Sequence, residues 1–194
     1  MIAVYVVVGI LVLLVIVFVF LYNRLVRLRN KVNKAWHQID VELNRRHDLV
    51  PELTEVVKGY AGHESKTFES VAAARSRAVS AAALGEKAPA EDQLSGALGG
   101  VIAVAESYPD LKANQDFLKL QAQLEETETR IAGSRKYYNG AVMYYDNARQ
   151  GIPGRWVADI FKKSFGAREY FEIKDPEDRL VPSAKVAAAQ ETQE

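Results

Sequence analysis

The residues able to do chemistry are few. The chain has three histidines, 25 acids and no cysteine, so thiol nucleophiles and cysteine-ligated metal are excluded. A di-iron site in a helical bundle is built from carboxylates and Glu-x-x-His. The residues three before His37, His47 and His63 are Lys34, Asn44 and Tyr60, so that pattern does not occur. His63-Glu64 opens an H-E-x-x-H pattern, but Thr67 stands where the second histidine is needed. No nucleophile stands beside a base with a third orienting group. The run Gly96-Ala97-Leu98-Gly99-Gly100 lacks the lysine and the preceding strand of a phosphate-binding loop. The expectation is therefore a protein that is not an enzyme, with no metal site and no cofactor.

Three other groups of residues have types and spacing that ask for a role. Arg46 interrupts one mostly apolar helical seam and Glu128 another, and if they meet they form a partly buried ionic layer, of more use to specificity than to stability. The pairs Tyr137-Tyr138 and Tyr144-Tyr145 can turn only one ring of each toward a core. Tyr137 and Tyr144 are left for the surface or for a protein interface, where aromatics are enriched. The stretch Trp156–Phe165 places Trp156, Val157, Ile160, Phe161 and Phe165 along one side of a helix, with Lys162 and Lys163 at its edge. Such a face suits a membrane interface with anionic lipid; the alternative is a cap folded over the bundle.

The element that positions all of these is N-terminal. Ile2 to Tyr22 is a run of 21 residues without a charge. As a helix it is about 31 Å long, the thickness of a bilayer's hydrocarbon core. Tyr5 and Tyr22 stand near its ends, and Arg24, Arg27, Arg29, Lys31 and Lys34 follow with no acid before Asp40. Bases stay on the cytoplasmic side, so the N-terminus is expected outside and the rest of the chain in the cytoplasm. A cleaved signal peptide is disfavoured, because no basic region precedes the apolar run and no A-x-A site follows it. From Ala35 on there are 20 bases against 25 acids, a balance that argues against a nucleic-acid partner.

The remainder has the composition of a helical bundle, rich in Ala, Leu, Glu, Gln and Arg. Helix A grows out of the span, with Val32, Trp36, Ile39, Leu43, Val50, Leu53, Val57 and Tyr60 at heptad spacing and Arg46 the one exception. Pro51 predicts a bend rather than a turn, because the seam keeps its phase across it. Gly59 and Gly62 mark a connection. Helix B is expected over Glu64–Leu84, with Phe68, Val71, Ala72, Ala78, Val79 and Ala82 on one face. A loop bounded by Gly85 and Pro89 follows, then helix C over Ala90–Ser107, whose Gly96, Gly99 and Gly100 suggest close packing. Helix D runs from about Asp110 to Gln150. Its seam is Phe117, Leu120, Leu124, Glu128, Ile131, Arg135, Tyr138, Val142 and Tyr145. If A and D are antiparallel, apolar seam residues pair when their numbers add to 174, and Arg46 then meets Glu128. The fold class is all-α: one transmembrane helix (1–23) and an up-and-down bundle of two long and two short helices (24–150). A short amphipathic helix and extended segment (151–181) and a disordered tail (182–194) follow.

Several strings resemble the LemA family. They are Trp36-x-x-Ile39-Asp40-Val41-x-Leu43-x-Arg45-Arg46-x-Asp48-Leu49-Val50-Pro51, then Val57-Lys58-Gly59-Tyr60-Ala61-x-His63-Glu64, Val71-x-x-Ala74-Arg75, and Arg135-x-Tyr137-Tyr138-Asn139. The chain departs from the family's pattern at Ile152, where an aromatic usually precedes the post-helix proline. The resemblance implies a bacterial single-span membrane protein with a cytoplasmic four-helix bundle and no established catalytic activity. The resulting expectation is a membrane-anchored scaffold or adaptor whose partners are the lipid bilayer, an unidentified protein and, by self-association, a second copy. The alternatives are a membrane-remodelling oligomer and, from another class, a helical-bundle enzyme or metal-binding protein.

Overall fold

The computed structural model describes residues 1–171; the expected extension through Glu172 and Ile173 and the tail from Pro182 lie outside the described residues. Among the described residues there are six helices and no strand: α1 Ile2–Lys58, α2 Ser65–Ser80, α3 Leu84–Glu106, α4 Pro109–Lys112, α5 Gln115–Gln150 and α6 Gly154–Ile160. The all-α class read from the sequence is the class observed.

α1 is the spine. Its apolar start is long and apolar enough to cross a membrane, with a window of mean hydropathy 3.4 none of which is buried. Burial begins at Leu25 and recurs at Val32, Ala35, Ile39, Leu43, Arg46, Val50, Leu53 and Val57, the period of one helix face against a partner. α1 passes through Pro51 unbroken. Proline has no N–H to give the carbonyl of His47. Arg75 of α2 replaces that donor: its Nε donates to the His47 oxygen at 2.7 Å. The defect in α1 is thus the point where α2 is pinned to it.

α5 runs back along α1. Trp36 and Tyr138 stack with ring centroids 5.6 Å apart, and Arg46 donates to Glu128 at 2.5 Å; both pairs of numbers add to 174. The α2–α3 hairpin covers the far half of this pair. There Leu49, Leu53 and Val57 of α1 join Phe68 and Val71 of α2, Leu94 and Val101 of α3, and Phe117 and Leu124 of α5. A second core lies nearer the span, built from Leu25, Val32, Ile39 and Leu43 of α1, Ile131, Tyr138, Val142 and Tyr145 of α5, Val157, and Phe165 and Phe171 beyond α6.

Four boundaries differ from the sequence expectation. α2 stops at Ser80, where Ala81 turns extended. Its buried face is Phe68, Val71, Ala74 and Ala78, while Ala72, Val79 and Ala82 are exposed. The Gly85–Pro89 loop is instead the start of α3. The amide that Pro89 lacks would have served Gly85, and both residues are exposed, so water can take the orphan carbonyl. Helix D is broken at Ala113-Asn114, because the Asn114 side chain accepts from the Phe117 amide at 3.0 Å and caps α5. Tyr60 leaves the seam for the surface, 43% exposed.

Of the three glycines expected to pack closely in α3, Gly96 and Gly99 face open space, while a Cβ at Gly100 would meet Thr67 of α2 at 3.8 Å. A Cβ at Gly96 or Gly99 would meet nothing within 4 Å. Glycine there only costs helix stability, so Gly96→Ala/Gly99→Ala should stabilise the chain by about 1–2 kcal/mol in all. Urea unfolding of the detergent-solubilised chain measures it; an unchanged midpoint would mean that one of the two positions is in contact.

Candidate functional site

The two cores are separated by a polar layer. On α1 it replaces the seam between Leu43 and Leu49; on α3 it falls between Ala88 and Leu94. Its centre is Arg46, which is fully buried. One guanidinium nitrogen donates to the Glu91 carboxylate and to the Glu91 carbonyl at 3.3 Å. The other donates to Ser95 Oγ at 2.9 Å and to Glu128 Oε1 at 2.5 Å. His47 Nε2 lies 2.8 Å from the remaining Glu91 oxygen. A buried carboxylate and a buried guanidinium therefore face each other, with an imidazole and a hydroxyl completing the shell.

Arg46 and Glu128, expected as a pair, do meet, but Glu128 is the outer member: its side chain is 44% exposed, against 0% for Glu91. At the level of the layer α5 turns Thr127 inward instead, fully buried with its hydroxyl on the Gln123 carbonyl at 2.7 Å. Glu91 is the residue that sequence reasoning missed. The signal was present: 91, 94, 98, 101 and 105 form one stripe of α3, all buried.

Burial pushes the Glu91 carboxyl up, but the hydrogen bond to His47 and the charge and hydrogen bond of Arg46 outweigh it and hold the group below its ordinary value of 4.5. A carboxyl depressed in the fold contributes stability that is present above the unfolded value and is lost as pH falls through the folded one. The chain should therefore lose stability as pH falls below 4.5, and Glu91→Gln should flatten that loss. Denaturant midpoints measured across pH 3 to 6 (about the range that brackets an ordinary glutamate) check this; parallel pH profiles for the two proteins would contradict it.

The layer reaches solvent at its rim, where Ser95 and Glu128 line a cleft with Leu98, Ile102 and Leu124. Among the described residues no group of three or more His, Asp or Glu side chains could hold a metal ion. His37 and His63 are exposed, the latter in the α1–α2 connection.

A second cluster lies at the span end of the bundle, where residues 161–171 return along α5 as a strap. Tyr145 donates to the Gly166 carbonyl at 3.0 Å and Tyr138 to the Glu169 carbonyl at 2.9 Å. Asn139 clamps Phe171 with two bonds, accepting from its amide at 2.8 Å and donating to its carbonyl at 3.0 Å. The Arg135 guanidinium sits 4.4 Å from the centre of the Phe171 ring, and desolvation by burial, ahead of the charge of Arg46, lowers its pKa from the ordinary arginine value. The string Arg135-x-Tyr137-Tyr138-Asn139 thus holds the strap through three of its residues. The remaining one, Tyr137, is exposed together with Tyr144, and the Lys31 ammonium lies 5.6 and 5.9 Å from their ring centres.

The residues expected at a membrane interface are divided by the structure. Phe165 is buried, 5.4 Å from the Tyr22 ring and beneath Arg29, so it belongs to the core and not to an interface. Its neighbours Val157 and Ala158 are buried with it. Trp156 and Ile160 point the other way and are exposed, as are Lys162 and Lys163, and Phe161 is partly so. The helix is shorter than expected and its two sides are distinct.

The LemA family model matches residues 35–186. The chain belongs to the LemA family. The match takes in both halves of the bundle and the strap, including Arg46, Arg75, Glu91, Glu128 and Asn139. Among curated LemA-family relatives, magnetosome protein MamQ 2 of Paramagnetospirillum magneticum is 25% identical over 183 residues, covering 81% of this chain and 66% of its own length. Magnetosome protein MamQ of Magnetospirillum gryphiswaldense is 23% identical over 191 residues, covering 85% of this chain and 70% of its own. Protein LemA of Metamycoplasma hominis is 26% identical over 129 residues, covering 63% of this chain and 58% of its own.

Proposed function

We propose that the chain is a membrane-anchored helical scaffold or adaptor that performs no catalysis and presents its bundle on the cytoplasmic face of the bacterial inner membrane. The observation that carries this reading is α1 itself: one unbroken helix is an exposed apolar span at its start and the buried spine of the bundle over the rest. Orientation follows from Arg24, Arg27, Arg29, Lys31 and Lys34, all at the bundle side of the span. Self-association is assigned to the exposed strip of Tyr137, Met143 and Tyr144 on α5, whose aromatic content suits an interface.

A reporter enzyme active only outside the cytoplasm, fused after Glu194, should be silent while the chain resists alkaline extraction from membranes. Reporter activity would reverse the orientation, and extraction of the chain would remove the anchor. Elemental analysis of the purified protein separates this reading from a metal-dependent one: stoichiometric transition metal would overturn the scaffold.

A further inference from the structure

The segment after α5 has a satisfied side and an unsatisfied side. Inward, Val157, Ala158 and Phe165 complete the core beside the span. Outward, Ile152, Trp156 and Ile160 recur every fourth residue and are 75%, 64% and 65% exposed. Side chains four apart lie on one face of a helix, so Trp156 and Ile160 form a row on α6, and Ile152 is exposed in the turn that leads into it. Three large apolar groups exposed within nine residues call for a cover that water does not provide.

The position of the row says what the cover is. The Phe161 ring lies 6.3 Å from Phe18 and 5.1 Å from Tyr22. Phe18 belongs to the apolar run and stands one turn inside its end. Whatever plane bounds the hydrocarbon at Tyr22 therefore passes beside α6. Charge agrees with this placement. Arg24, Arg27, Lys162 and Lys163 are exposed at the same end, and none has an ion pair among the described residues. Arg155 has one within α6, with Asp159 at 3.6 Å. The other bases after the span are partly used inside the fold: Arg29 donates to the Ser164 carbonyl at 3.2 Å, and Lys31 covers two tyrosines. A cleft lined by Leu21, Arg24, Tyr144, Asn147 and Ile152 opens between the span and the turn that leads into α6.

We propose that α6 and its flanks are a lipid-facing foot: Ile152, Trp156 and Ile160 lie at the acyl boundary of an anionic bilayer, and Arg24, Arg27, Lys162 and Lys163 engage its headgroups. The inference rests on the reading of Ile2–Tyr22 as a membrane span. The foot is short and would bind weakly alone; the span holds it at high effective concentration against the surface. Its work is orientation. Two points of attachment, span and foot, fix the tilt and rotation of the bundle relative to the bilayer, where a span alone would leave both free.

The test uses the full chain reconstituted in bilayers, with and without phosphatidylglycerol, carrying acyl chains brominated near the headgroup. The chain has two tryptophans, so subtracting the emission of a Trp156→Phe variant isolates the signal of Trp156. In anionic bilayers that signal should be blue-shifted and quenched on the order of twofold, as for a ring at the interface, and Lys162→Glu/Lys163→Glu should restore it. Unquenched, water-like emission from a chain that still resists alkaline extraction would overturn the foot and leave the span intact. Extraction of the chain would overturn the membrane reading itself. Blue-shifted but unquenched emission that reverts when the protein is diluted in lipid would give the row to a second copy and overturn the proposal. Equal quenching without phosphatidylglycerol would overturn the anionic requirement.

Discussion

Glu91→Leu should destabilise the bundle by about 3–5 kcal/mol, because it leaves the Arg46 guanidinium buried without its main counter-charge. Arg46 is 0% exposed, and its link to Glu128 does not compensate, since that carboxylate is half in water and an exposed pair is worth at most about 1 kcal/mol. Glu128→Leu should accordingly cost far less than Glu91→Leu. In Arg46→Met/Glu91→Leu both charges leave, and most of the loss should be recovered, as replacing a buried pair by apolar groups is often neutral. His47, which faces Glu91 at 2.8 Å, then loses a partner, so recovery stops short of complete. Denaturant unfolding followed by near-UV circular dichroism gives these values together with that of Arg46→Met alone, which completes the cycle. Additive losses in the double variant would show that the two groups act independently and that the layer is not a coupled unit.

The second large effect is expected at Phe171. This ring is 1% exposed and fills the space between Trp36, at 6.3 Å between centroids, and the Arg135 guanidinium. Phe171→Ala should cost about 3–5 kcal/mol through the lost contacts and the cavity left behind. The damage should be unevenly distributed. The strap is tied by single hydrogen bonds at Gly166 and Glu169 and by the Asn139 clamp at Phe171, so residues 161–171 should lose amide protection before the α2–α3 end does. Asn139→Ala should release the same segment at a smaller global cost. Hydrogen exchange read by mass spectrometry distinguishes the regions. Uniform loss of protection along the chain would mean that the strap is an inseparable part of one core.

Much of this architecture is legible in the residues. The heptad spacing of α1 and α5 specifies which faces meet, and the charged interruptions Arg46 and Glu128 specify the register; Trp36 with Tyr138 and Arg46 with Glu128 stand as that arithmetic requires. Pro51 reads as a bend because the seam holds phase across it, but its replacement donor, Arg75, is supplied by a different helix and cannot be seen locally. The same non-locality hides the partner of Glu91: the stripe of α3 marks the residue as buried, but the arginine that neutralises it lies on another helix. Pro89 and Asn114 were misjudged in opposite senses. The proline is tolerated because its orphan carbonyl faces water, and the asparagine ends a helix because its side chain reaches the Phe117 amide. At α6, periodicity alone put Trp156 and Phe165 on one side. The helix ends at Ile160, so the turn that follows swings Phe165 inward and frees Trp156 from that face.

The continuity of α1 has a mechanical consequence. The 35 residues from Arg24 to Lys58 belong to the same rod as the span, a lever arm of about 52 Å. Nothing between the bilayer and the far tip can absorb a rotation except the slight give at Pro51, and Arg75 braces that point. Rocking the span by about 10° therefore sweeps the α1–α2 connection through about 9 Å, a displacement comparable to the spacing between packed helices. Local thinning or bending of the bilayer would be transcribed into motion at the tip.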